Sequence, residues 1–209
     1  LLYKDGKAYI DFKNLEQIIS PKTKILILCN PHNPCGRVWT LEELKTLGDF
    51  CLRNNILVFS DEIHSDLVFA PVKHVPYASV SEDMALHSIS FFSPSKTFNL
   101  AGLSTSYLIV PDHLKFNKFQ KLTETLHLYN GNIFGNIALE AAYNQCIPWL
   151  EELLLYLKGN IDFVTEFLQQ QIPVVFPYKT EATYLMWLDF NNLGLQDMEI
   201  GRASCRERV

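Results

Sequence analysis

Short apolar runs alternate with longer amphipathic stretches along this chain. Residues 24–29 (KILILC) are an apolar, β-branched run that stops at Asn-Pro, the pattern of a buried strand. Thr40-Leu41-Glu42-Glu43 has the form of a helix capping box, and Leu41, Leu44, Leu47 and Cys51 continue at helical spacing. Residues 56–60 (ILVFS), 88–92 (SISFF) and 106–110 (SYLIV) read as three further buried strands, the last stopped by Pro111. Short apolar strands, the first two joined by a helix, predict an α/β fold with a mostly parallel sheet and helices on both faces.

After Pro111 the period changes. The pattern predicts helices over 112–128, 133–145 and 148–170, the third with Leu153, Leu157, Ile161, Val164 and Leu168 on one face. Residues 173–176 and 183–190 read as strands. In the second, Thr183, Leu185, Trp187 and Asp189 alternate with Tyr184, Met186, Leu188 and Phe190, as in a half-buried antiparallel sheet. The expected organisation is therefore part of a large domain over 1–128, a helical connection over 129–170, and the start of a smaller α+β domain over 171–199. Residues 200–209 abandon the periodicity and read as a non-native, adapter-derived tail. With Leu1 in place of a start methionine, the chain is expected to be a fragment.

Composition narrows the function classes. Of the 209 residues 48% are hydrophobic, enough for one substantial core. A net charge of −5 gives no basic face for nucleic acid. No signal peptide is evident, and no apolar run approaches the roughly 20 residues of a membrane helix. The five cysteines (Cys29, Cys35, Cys51, Cys146, Cys205) form no CxxC pair, so a reduced, cytoplasmic protein without disulfides or a bound metal is expected.

The chemistry concentrates in three segments. Ser93-Pro94-Ser95-Lys96-Thr97-Phe98-Asn99-Leu100-Ala101-Gly102-Leu103 sets one lysine among hydroxyls and small apolar residues. An amine that must attack an aldehyde has to shed its proton, and apolar surroundings disfavour the ammonium form. The second segment, Cys29-Asn30-Pro31-His32-Asn33-Pro34-Cys35-Gly36-Arg37, brackets Asn33 between prolines; the third, Phe59-Ser60-Asp61-Glu62-Ile63-His64-Ser65-Asp66-Leu67, places a carboxylate after a strand. Taken singly, a lysine is usually a solvated cation, an aspartate a turn cap and an asparagine a turn former. However, Asn33, Asp61 and Lys96 all follow predicted strand ends, where open α/β sheets bind ligands. His113, Lys115, Lys118 and Lys121 read instead as the wet face of a helix.

In this order, the three segments resemble the class I/II aminotransferase family of fold-type I pyridoxal-phosphate enzymes. The wording Asp61-Glu62-Ile63-His64 and Ser95-Lys96-Thr97-Phe98-Asn99-Leu100-Ala101-Gly102-Leu103 is most similar to its MalY/PatB-type cystathionine β-lyase branch. The resemblance implies a pyridoxal 5'-phosphate cofactor bound mainly by residues 1–128. Lys96 would form the Schiff base and move the substrate α-proton. Asp61 would pair with the pyridine nitrogen, and Asn33, with a cis bond to Pro34, would donate to the phenolic oxygen. His64 stands where most aminotransferases have a cofactor-contacting tyrosine. Ser93 and Ser95 would supply hydroxyls to the phosphate, although Ser104 stands where many members carry a phosphate-binding arginine. The family's phosphate loop and stacking aromatic are expected before Leu1, and its carboxylate-binding arginine after residue 199. Family dimers pass a loop near residues 129–132 into the neighbouring site, which suggests a homodimer and a lesser role for Asn132. The implied function is a C–S β-lyase acting on a small amino-acid substrate, cystathionine or a related cysteine S-conjugate. An aminotransferase and a non-catalytic regulatory protein are the alternatives.

Overall fold

An Asp5-Gly6 turn, with both residues at positive φ (50° and 70°), joins β1 (Leu2–Lys4) to β2 (Lys7–Tyr9) in an antiparallel hairpin. Such turns favour glycine because they demand left-handed backbone. In the computed structural model, which describes residues 1–128 and 131–194, α1 (Phe12–Ile18) follows, its N-terminus capped by the Asp11 side chain. The expectations for residues 129, 130 and 195–209, including Cys205 and the tail, lie outside the described residues.

The central sheet has four strands in the order β3 (Ile25–Cys29), β4 (Leu57–Asp61), β5 (Ser88–Phe92) and β6 (Tyr107–Ile109). The first two pairings are parallel, with Cys29 opposite Asp61 and Asp61 opposite Phe91. The fourth strand runs antiparallel to β5. Between β5 and β6 lie only the four-residue α4 (Pro94–Thr97) and a single 3₁₀ turn, with no helix long enough to carry the chain back for a parallel return.

One face of the sheet is closed by α2 (Leu41–Arg53) and α3 (Glu82–Leu86). The capping box is present as read: Thr40 accepts from the Glu43 N–H, and the Glu43 carboxylate accepts from the Thr40 N–H. Leu44, Leu47, Phe50 and Cys51 of α2 pack with Leu28, Val58, Trp39, Tyr77 and Met84 into the main core. Complete burial of such a side chain contributes roughly 1.5–3 kcal/mol. Gly48 permits the contact: a Cβ there would lie 1.5 Å from the Met84 methyl carbon.

The remaining elements are α5 (His113–Thr125), α6 (Ile133–Gln145), α7 (Ile147–Gln171), β7 (Phe176–Pro177) and β8 (Leu188–Asp189). On the second face of the sheet, α5 lines a cleft of about 750 Å³ with Phe91, Tyr107 and Leu108. Of the α5 cations, Lys115 is tied down, bonded to Asp112 and to the Leu86 carbonyl at 2.8 and 2.9 Å.

Residues 183–190 do not form the strand predicted for them; only Leu188–Asp189 pairs, with β7. Thr183 is fully buried and left-handed (φ 69°), against its β-branched preference. Tertiary hydrogen bonds override that preference. The N–H groups of Glu181 and Ala182 donate to the Gly36 carbonyl, and that of Thr183 donates to the Leu67 carbonyl at 2.7 Å. The segment is thereby stitched onto the turns that follow β3 and β4.

Candidate active site

Asp61 ends β4. Alternation along the strand turns Val58 and Ser60 into the core and Leu57, Phe59 and Asp61 to the opposite face. On that face Asp61 lines a cleft of about 350 Å³ with Ile27, Phe59, Ile63, Phe91, Phe92 and Ser106. Its Oδ1 accepts from the Ile63 N–H at 3.3 Å. Glu62, the next residue, points into the core. Its carboxylate is fully buried, where it contacts His74 Nε2 at 2.7 Å and accepts from the Ser90 hydroxyl and the Tyr77 N–H. Two adjacent carboxylates therefore have separate tasks, one in the core and one in the cleft.

Asn33 lies on the turn after β3, exposed, and its N–H donates to Cys29 Sγ at 3.4 Å. Burial pushes the Cys29 thiol up; the Asn33 N–H opposes this and the Asp61 charge adds to it, so this turn and Asp61 share one neighbourhood. The Asn33–Pro34 peptide is cis, as the resemblance implied, and so are Asn30–Pro31 and Ala70–Pro71, which it did not imply. Asn30 is fully buried with its amide donating to the Val75 carbonyl at 3.0 Å, a scaffold role.

Lys96 sits half-buried in the last turn of α4, after β5, and among the described residues no hydrogen bond or ion pair engages its amine. Ser93 caps α4. Its oxygen accepts from the Ser95 N–H, its hydroxyl donates to the Thr105 carbonyl at 2.7 Å, and the Ser95 hydroxyl lies 2.8 Å away. Ser104 is exposed and left-handed (φ 49°).

His64 joins these pieces. It is only 1% exposed, yet neither ring nitrogen has a partner among the described residues. Burial and then the positive charge of Lys96 lower its affinity for a proton, and the Asp61 carboxylate works the other way. Lys96 and Asp61 thus both act on His64 from separate strand ends. The Tyr184 ring closes the group, edge-on to His64 with centroids 5.7 Å apart. Asn132 lies apart from this group. It caps α6 through its side-chain oxygen, and its amide donates to the Leu103 carbonyl at 2.9 Å.

Three features escape sequence reasoning. Asp66, inside the Asp61–Leu67 segment, accepts from the Thr97 hydroxyl at 2.9 Å and the Tyr143 hydroxyl at 3.0 Å. Tyr184 meets His64 from a segment that is not a regular strand. Arg37 is buried against Glu181, 3.0 Å away, and Glu43, 2.8 Å away. Asp66 and Arg37 both stand inside the quoted segments, which was a signal; Tyr184 depends on a contact between distant parts of the chain. Among the described residues no cluster of His, Cys, Asp or Glu could hold a metal ion, and no helix is long and apolar enough to cross a membrane.

The profile of the family described as aminotransferase class I and II matches residues 2–209. The chain belongs to that family. Among the relatives, it is 47% identical over 201 residues to a protein named cystathionine beta-lyase PatB from Bacillus subtilis, covering 96% of this chain and 52% of that protein. It is 34% identical to Protein MalY from Escherichia coli, covering 93% of this chain and 50% of that one. Among solved structures, cystalysin from Treponema denticola, which contains a pyridoxal 5'-phosphate cofactor, superposes with a TM-score of 0.89 at 33% identity, over 96% of this chain and 51% of cystalysin. The chain spans about half the length of the relatives it matches. Within the family's shared fold, the α/β sheet with its mostly parallel pairing is as the sequence predicted.

Proposed function

We propose that this protein is a pyridoxal 5'-phosphate-dependent C–S β-lyase that cleaves cystathionine or a related cysteine S-conjugate, with water, to a thiol, pyruvate and ammonia. One observation carries the reading. In a family member 47% identical to a named cystathionine β-lyase, the Lys96 and Asp61 charges, from different strand ends, both act on a buried histidine with two unpartnered nitrogens.

The residues present fit the cofactor. Buried nitrogens without partners are costly, and a polar group bound beside His64 would relieve that cost. Phe59 and Phe91 give the cleft apolar walls suited to an aromatic ring, with the Asp61 carboxylate among them. When bound, the cofactor supplies an electron sink that stabilises negative charge at the substrate α-carbon. Asp61 would hold a proton on the ring nitrogen, and Asn33 would donate to the phenolic oxygen. Ser95 would offer its hydroxyl to the phosphate, as would Ser93 on turning its one proton away from the Thr105 carbonyl, and His64 would contact the ring. Lys96 would hold the cofactor covalently and, as the free amine, take the proton from the substrate α-carbon. The exposed apolar surface of α6 and α7, including Phe134 (77% exposed) and Leu155 (76%), is where we place a homodimer contact. The free thiols Cys29, Cys35, Cys51 and Cys146 suit a reducing, cytoplasmic setting.

Two measurements on a version extended to its relatives' length test this reading. Borohydride reduction and peptide mapping should label Lys96, and Lys96→Ala should lose both the label and turnover; label on another lysine would overturn the assignment. Pyruvate and thiol should appear from cystathionine without a keto-acid acceptor, because β-elimination returns the cofactor unchanged. Strict dependence on an acceptor would make the protein an aminotransferase, which the same Asp61 and Lys96 could serve.

A further inference from the structure

Lys96 belongs to a helix of only four residues, too short to hold its own shape, so its place must be fixed from outside. Thr97, its neighbour, has no exposed surface, and its hydroxyl donates to Asp66 Oδ2 at 2.9 Å. The Tyr143 hydroxyl, from α6, donates to the same oxygen at 3.0 Å. Asp66 lies on the turn that follows Asp61 and carries His64. That turn is closed by the Ser65 N–H donating to the Glu62 carbonyl at 2.9 Å and the Leu67 N–H donating to the His64 carbonyl at 3.0 Å. A single carboxylate oxygen therefore connects the Asp61–His64 turn, the Lys96 helix and α6.

The chemistry of the junction favours direction over bulk. Each hydroxyl has one proton, and each gives it to a carboxylate that can only accept, which makes both bonds charge-assisted. Burial and then the Asp66 charge push the Tyr143 phenol up, so it keeps the proton it donates. Phe98, on the far side of Thr97, packs edge-on against the Tyr143 ring at 5.2 Å, so the backbone on that side of Lys96 is braced by packing as well. An apolar trio would fill the same space without fixing an orientation.

We propose that Asp66 is a positioning residue that, through Thr97 and Tyr143, holds the Lys96 amine in register with Asp61 and His64. The inference rests on Lys96 being the cofactor lysine. The test uses the protein extended to its relatives' length and freed of cofactor. Pyridoxal 5'-phosphate is added, samples are quenched with borohydride over time, and the rate of label on Lys96 is read by peptide mapping, well below the melting transition. Thr97→Val, which keeps the shape and removes the hydroxyl, should slow that rate about tenfold, the size of one hydrogen bond to a charged group. Thr97→Ser should restore it, and Asp66→Ala should slow it at least as much as Thr97→Val. A purely structural role would lower the melting temperature and leave the rate alone; wild-type rates in Thr97→Val would overturn the proposal. A wild-type protein labelled at a lysine other than Lys96 would instead overturn the functional reading, and this inference with it.

Discussion

At the scale of single residues, the proposed site turns on the Asp61 carboxylate, which faces the cleft beside Phe59 and Phe91. If Asp61 has the role proposed for it, Asp61→Asn should still bind cofactor but lose the group that would keep the ring nitrogen protonated. The expected loss in turnover is on the order of a hundredfold or more, as for other groups that stabilise developing charge. Near-normal steady-state kinetics in that variant would mean another residue holds the nitrogen. His32 and His64 carry a second prediction, because burial lowers both below the usual histidine value, with the Lys96 charge adding to the shift at His64. An unfolded histidine takes up its proton near pH ~6.5. Below that the unfolded chain gains protons that the folded chain refuses, so stability should be level above it and decline as pH falls through it. The urea midpoint should drop between neutral and mildly acidic pH, and His64→Gln should flatten part of the drop. A midpoint indifferent to pH across this window would contradict the burial of these rings.

Between elements, the strongest tie is the Arg37 clasp. Arg37 donates to Glu181 and Glu43, to the Ala8 carbonyl, and to the adjoining Val38 carbonyl, while Lys7 reaches Glu181 at 3.0 Å. Burial alone would raise the Glu181 carboxyl; the Lys7 hydrogen bond and the Arg37 charge outweigh it and hold the group below the usual carboxylate range. This contribution is present above the unfolded carboxylate value and is lost only as pH falls through the lower folded one, well apart from the histidine window. Without Glu181, Arg37 keeps its pair with Glu43, but a buried guanidinium nitrogen and the Val38 N–H each lose an acceptor. Glu181→Ala should therefore cost about 2 kcal/mol in a denaturant titration. Lys179, 61% exposed and 3.4 Å from the same carboxylate, should cost under ~1 kcal/mol when changed to Ala. Equal losses would show that the clasp is not special. Gly36 is the companion constraint: its φ is +63°, and a Cβ would sit 2.9 Å from the Ala182 carbonyl oxygen, so Gly36→Ala should also destabilise.

Over the whole molecule, the sheet is well covered on its α2 face and open on the other. Ile27, in the middle of β3, is 76% exposed beside the Asp61 cleft, and Ile25 and Ile109 are 48% and 46% exposed. Apolar surface of this extent promotes association. A site that works by holding several groups in register also loses more than the sum of its missing contacts when it is incomplete. The 209-residue chain alone, about half the length of its relatives, should bind pyridoxal phosphate weakly and associate without forming a defined dimer. An absorbance titration with light scattering checks both, and stoichiometric binding with turnover would show that these 209 residues suffice.

Local sequence dictated the strand at 88–92 and, to within one residue, that read at 24–29, together with the α2 capping box, the long C-terminal helices and the location of Asn33, Asp61 and Lys96 after strand ends. Each of these rests on local physics: apolar period, side-chain caps, and the turn chemistry of Asn-Pro. Tertiary structure decided the antiparallel direction of β6, the left-handed Thr183, the Arg37–Glu181 clasp, the edge-on Tyr184 over His64 and the Asp66 junction. In each case a contact between distant parts of the chain overrides or adds to a local preference, as when backbone bonds to Gly36 and Leu67 outweigh the strand pattern of residues 183–190. Local periodicity records which face of an element is apolar; it carries no record of which other segment will supply a hydrogen-bond partner, and at this site those partners orient the reactive groups.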